Sequence, residues 1–166
     1  MTEHSNNYIF LFTSLTCGYL LVSKEALKIL GAKGYWDGID ILPFVIVGLF
    51  FEFLYTFPVN YEMYCKKTKI ISIGSTIVAL VNIGLNFLLI PRYGMLGAAI
   101  ATLIAYIGLF IIHDIIVRKI GGYHYKWSFY LKGIIPVIGC SALTYLLTDY
   151  MPVRWGIGSV IGTILK

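Results

Sequence analysis

The chain has 166 residues, of which 58% are hydrophobic and 13% charged, and its mean hydropathy is +0.82. A water-soluble domain ordinarily carries about 25% charged residues, so this composition excludes one. The net charge is +5, but the basic residues stand between apolar blocks, where they orient membrane spans and make no nucleic-acid surface.

Six apolar blocks follow one another, near 8–22, 39–59, 70–90, 95–117, 131–147 and 155–165. In lipid every backbone polar group must be satisfied internally, and these blocks lack the two-residue alternation of barrel strands. The expected fold is therefore all-α: one polytopic transmembrane domain over 1–166 with about six helices. The segment MTEHSNN ahead of the first block has no Lys or Arg, so it does not resemble a cleaved signal peptide. After the first block, SKEALKIL opens on a possible cap, Ser23, and mixes apolar with basic positions, which predicts a short interfacial helix. Gly31, Gly34 and Gly38 end it, and Tyr35 and Trp36 suit the headgroup layer.

The second block contains Glu52 within FFEF. A carboxylate near the middle of a span costs roughly 2.5–3.5 kcal/mol on insertion scales, so Glu52 is expected to face the bundle interior or water. It is either a hydrogen-bonded structural group or a candidate for a proton-linked role. The third block gathers Ser72, Ser75, Thr76, Ala79, Asn82 and Asn86 toward one helical face. Asn82 and Asn86 are candidates for lining a polar cavity; the plainer reading makes them hydrogen-bonding groups between helices.

Pro91 is expected to end that helix, with Arg92 and Tyr93 in the turn and Gly94 as permissive backbone, so that blocks three and four pair antiparallel. The fourth block carries Gly94, Gly97, Ala101, Ala105 and Gly108 at helical spacing, a small-residue stripe that lets another backbone approach closely. His113 and Asp114 at its end make a poor catalytic dyad, because neighbouring helix positions do not face each other, and near the predicted cytoplasmic surface they read as a solvated interfacial pair. Tyr123, Tyr125, Trp127 and Tyr130 form an aromatic belt before the fifth block. The sixth is too short for a span, which predicts an incomplete carboxy-terminal portion of a larger protein.

Lys66, Lys67, Lys69, Arg118, Lys119, Lys126 and Lys132 fall on one side of the predicted topology, against Lys24, Lys28, Lys33, Arg92 and Arg154 on the other. The positive-inside rule makes the first side cytoplasmic. Cys17, Cys65 and Cys140 have neither disulfide nor zinc spacing, and no phosphate loop, HExxH or serine elbow occurs. No catalytic residues, metal or cofactor are expected, and the chain does not read as an enzyme.

The run NIGLNFLLIPRYGMLGAAIAT, residues 82–102, resembles the asparagine-rich helix, Ile-Pro-x-x-Gly turn and small-residue helix of bacterial oligosaccharide flippases. These belong to the superfamily of multidrug, oligosaccharidyl-lipid and polysaccharide exporters. SKEALKILGAKGY, ILPFVIVG and the KKTK loop resemble the pattern preceding that hairpin. The resemblance implies the carboxy-terminal lobe of a two-lobed protein of the bacterial inner membrane. Its cargo would be an undecaprenyl-pyrophosphate-linked oligosaccharide for O-antigen, lipopolysaccharide or capsule, and its partners membrane lipids, an amino-terminal lobe or polysaccharide-assembly proteins. Such a portion is expected to be inactive alone. Glu52 matches no motif of the family. The alternatives are a structural or regulatory membrane protein assembling through Gly-rich helices, or an exporter of different cargo.

Overall fold

The computed structural model describes residues 2–30, 38, 41–120 and 125–150, all its regular elements being α-helices: α1 (Thr2–Leu30), α2 (Leu42–Tyr64), α3 (Thr68–Lys119) and α4 (Trp127–Tyr150). The block at 155–165 and the aromatic residues Tyr35, Trp36 and Tyr123 lie outside the described residues. Three stretches are long and apolar enough to cross a membrane, Leu42–Tyr64, Thr68–Lys119 and Trp127–Thr144. The protein is a helical membrane protein by that measure, with four helices among the described residues where about six were expected.

Part of the discrepancy is the α3 hairpin. Its 52 residues are helical except at Gly94, where φ is 56° and ψ −133°. That backbone conformation is open to glycine and strained for any residue with a Cβ. The helix therefore continues through Pro91, which was expected to end it, and breaks at Gly94. The two arms, 68–93 and 95–119, then fold back on each other. A Cβ on Gly97 would strike the Leu89 carbonyl, and one on Gly74 would meet His113 Nε2 at 2.9 Å. Such contacts, nearly symmetric about Gly94, are those of antiparallel helices. Blocks three and four are thus the two arms of one hairpin.

α1 departs from expectation in the other direction. The first block and the proposed interfacial helix form one continuous helix of 29 residues. The Ser23 hydroxyl does not cap a new helix: it donates back to the Leu20 carbonyl at 3.0 Å, within the preceding turn. Ser23 and Lys24 are both buried.

Contacts fix the directions of the remaining helices. Phe51 lies against Phe110 and Tyr55 against His113, so α2 runs parallel to the second arm of α3. Ser5 bonds Tyr125 at 2.7 Å and Thr13 lies beside Gly133, so α1 runs parallel to α4. Phe57 meets Phe129 and Phe50 meets Gly133, which makes α2 and α4 antiparallel. Successive segments alternate in direction, so Lys66, Lys67, Lys69, Arg118, Lys119 and Lys126 gather at one end of the bundle and Arg92 at the other.

The core is aromatic. Phe50, Phe110, Phe129 and Tyr130 are buried with Leu20, Leu54 and Val137, and Phe12 stacks on Phe53 at 3.9 Å. Aromatic pairs at such distances add about 0.5–1.5 kcal/mol each beyond the area they bury. Ile73, Leu80, Phe87, Leu88 and Ile111 remain exposed, as groups facing lipid would be.

Candidate functional site

The most unusual chemistry sits at the basic end of the bundle, where α2 ends and the second arm of α3 comes alongside. α2 finishes in a Schellman motif: Lys66 N–H donates to the Met63 carbonyl and Lys67 N–H to the Glu62 carbonyl, both at 2.9 Å. Lys66 takes the left-handed conformation, φ 55°, that this cap requires. The cap thereby fixes the backbone of Glu62 in the last turn of the helix.

From there the Glu62 carboxylate reaches His113. Glu62 Oε2 and His113 Nδ1 stand 2.7 Å apart, and both side chains are 0% exposed. The ring lies edge-on to Tyr55, with centroids 5.0 Å apart, and its other nitrogen abuts Gly74 of the first arm. Glu62 Oε1 and His113 Nε2 are buried without a hydrogen-bonding partner. Two unmatched lone-pair positions beside a short hydrogen bond can hold and exchange a proton, and the pair joins three helical segments. Taking charge out of water is costly, so one member alone would be far less stable than the two together.

Asp114, next in sequence, points elsewhere. Consecutive helix positions differ by about 100° in direction, and the second arm has α2 on one side and the start of α4 on another. Asp114 accepts from Arg118 Nε at 2.6 Å, one turn on, and Arg118 also donates to the Tyr125 carbonyl at 2.9 Å. The guanidinium stands 5.4 Å from the Trp127 ring centre, a cation–π contact, and the Tyr130 hydroxyl faces Asp114. The expected solvated His113–Asp114 pair is corrected by this geometry: both residues are buried, each engaged with a different neighbour.

The residues singled out from sequence lie away from this cluster. Glu52 is on the exposed side of α2, outside the packed core, with Tyr106 of the second arm near its carboxylate. The polar stripe of the third block divides. Ser72, Thr76 and Ala79 are exposed, and the Thr76 hydroxyl donates to the Ser72 carbonyl of its own helix. Asn82 and Asn86 are half-buried and bond each other, Asn86 Nδ2 to Asn82 Oδ1 at 2.7 Å, which leaves the Asn86 Oδ1 atom buried and unpartnered. The hairpin places Asn86 level with Ala101 and Asn82 level with Ala105. Gly97, Ala101 and Ala105 are buried, while Gly94 is exposed at the turn.

Glu62 had no distinguishing sequence signal. It lies in NYEMY at a helix end, where a carboxylate is ordinary, and its partner is 51 residues away. Among the described residues no group of three or more His, Cys, Asp or Glu could hold a metal ion. In comparison with known proteins, the chain matches no family model, no curated protein and no solved structure.

Proposed function

We propose that the chain forms part of a bacterial inner-membrane flippase for undecaprenyl-pyrophosphate-linked oligosaccharide, acting in O-antigen, capsule or related polysaccharide assembly. The observation that carries this reading is the hairpin of residues 82–102. The segment that resembles the flippase turn folds at Gly94, with Asn82 and Asn86 presented on the first arm and small residues on the second. A linked pair of amides with an unpartnered buried oxygen suits a path for a polyhydroxylated cargo, because sugar hydroxyls can donate to it. The role is transport, with no bond made or broken in the cargo.

Assembly between chains through Gly-rich helices gains no support from the stripe that suggested it, since Gly97, Ala101 and Ala105 are already buried within the chain.

The test is made at the native locus in the natural host. Replacing both Asn82 and Asn86 by Ala should lower surface polysaccharide at least severalfold at unchanged protein abundance, with lipid-linked oligosaccharide accumulating on the inner leaflet. Wild-type surface polysaccharide with both amides removed would contradict the reading. Glu52→Gln in the same assay separates a proton-linked role from a purely structural one, because it retains shape and hydrogen bonding without ionisation.

A further inference from the structure

The cysteines have no pairing spacing in the sequence, yet the fold brings two of them together. α1 and α4 run parallel, and two contacts fix their register. Ser5 bonds Tyr125 near one end, and a Cβ on Gly133 would meet Thr13 Oγ1 at 3.0 Å and Ile9 Cγ1 at 3.1 Å. Gly133 therefore stands opposite the turn between Ile9 and Thr13, where the two backbones come close. Cys17 follows Thr13 by one turn and Cys140 follows Gly133 by two, so each keeps to the face that makes this contact. At about 1.5 Å per residue, both lie about 10 Å further along their helices, at one level. The two thiol groups accordingly adjoin each other across the α1–α4 seam, and both pack, half-buried, against the aromatic core.

Cys65 is placed differently. It follows the last turn of α2 at the basic end of the bundle, beside Lys66 and Lys67. Cys140 is about 20 Å along α4 from that end at about 1.5 Å per residue, so Cys65 cannot reach the pair. A cavity of about 560 Å³ opens along α1 and α4, and Cys17 lines it together with the exposed Asn6, Ser14 and Lys132. It gives small uncharged solutes a way to the seam.

We propose that Cys17 and Cys140 form an oxidisable dithiol, a modification site at which a hydroperoxide converts the two thiols into a disulfide that clamps α1 to α4. With hydrogen peroxide, the Cys17 sulfur attacks one oxygen: the S–O bond forms as the O–O bond breaks, and the thiol proton leaves with the departing hydroxide as water. Cys17 is then a sulfenic acid, which condenses with a neighbouring thiol. The Cys140 sulfur attacks it, the S–S bond forms as the S–O bond breaks, and a second water carries off the Cys140 proton. Two thiols lose two electrons, and one peroxide gains them. The site is independent of the cargo proposed above.

Peroxide treatment of membranes carrying the full chain, followed by alkylation, digestion and mass spectrometry, tests the pair. Wild type should yield an intramolecular disulfide joining the peptides of Cys17 and Cys140, with none to Cys65, and dithiothreitol should return both thiols to alkylation. Cys65→Ala should leave the crosslink unchanged. Cys140→Ala should abolish it, and the lone Cys17 should then pass on to its sulfinic acid. The clamp has a readout of its own: the oxidised protein should unfold several degrees above the reduced one, a shift absent from Cys140→Ala. Cys17 and Cys140 both still alkylated at a peroxide dose that oxidises Cys65 would overturn the proposal. So would a sulfinic acid at Cys17 beside an alkylated Cys140 in wild type, or disulfides formed only between two copies of the chain. An oxidised form no more stable than the reduced one would overturn the clamp.

Discussion

The α3 hairpin is fastened in opposite ways at its two ends. At the turn, Gly94 supplies a backbone conformation and Gly97 supplies room, so the arms meet backbone to backbone with no charged group involved. At the open end the second arm is held by polar chemistry, with His113 on Glu62 of α2 and Arg118, itself paired with Asp114, on the Tyr125 carbonyl. The turn depends on what is absent, a Cβ. The open end depends on two side chains being present together. In lipid, where burial of apolar surface does not by itself drive helices together, close packing and polar pairing are the means available, and this molecule separates them along one hairpin.

Breaking the open end should have the largest effect. His113→Ala leaves the Glu62 carboxylate buried without its partner, and loss of one member of such a pair costs about 3–5 kcal/mol. Replacing both, as Glu62→Leu with His113→Leu, should recover most of that loss, because no charge is then left buried. Denaturant unfolding in mixed micelles checks both variants. A double variant less stable than His113→Ala would show that the pair itself is indispensable to the fold.

At the turn the expected losses are smaller and steric. Gly97→Leu must displace the Leu89 backbone, and overpacking of that kind costs about 1–3 kcal/mol. The exposed Ile104 gives a control, since Ile104→Leu should be near neutral in the same unfolding assay. Gly94→Ala meets no neighbour within 4 Å, so its penalty is conformational alone, on the order of 1–2 kcal/mol for a Cβ at positive φ. If Gly94→Ala were silent while Gly97→Leu was not, the turn would owe its form to packing and not to backbone freedom. The smallest effect should be a gain. Lys66→Gly relieves the left-handed residue of the α2 cap and should add up to about 1 kcal/mol by thermal unfolding. A loss would mean that the Lys66 side chain matters more than its backbone.

These two ends also differ in how far the sequence discloses them. Gly94, Gly97, Ala101 and Ala105 recur at helical spacing, and a local period is visible without knowledge of the partner. The all-helical character, with helices long and apolar enough to cross a membrane, was legible for the same reason, from long apolar blocks. The continuity of α1 was not, because a serine followed by charged residues resembles a cap whether its hydroxyl bonds forward or, as Ser23 does, backward. Glu62–His113 was not legible either. A glutamate at a helix end and a histidine next to an aspartate each have a solvated reading, and only the parallel packing of α2 on the second arm brings them to 2.7 Å. Reading His113 and Asp114 as solvated was the specific error, since both are buried and each engages a different neighbour.

The hairpin is the claim on which both the candidate site and the proposed function depend, and an electron–electron distance measurement in lipid nanodiscs tests it most directly. Spin labels at Ser72 and Ile115, both exposed, should lie on facing arms, on the order of 10–20 Å apart including the label arms. A straight α3 would hold the same two positions about 65 Å apart at about 1.5 Å per residue. A distance distribution confined to the short range is the predicted result, and a dominant population beyond about 50 Å would contradict the hairpin.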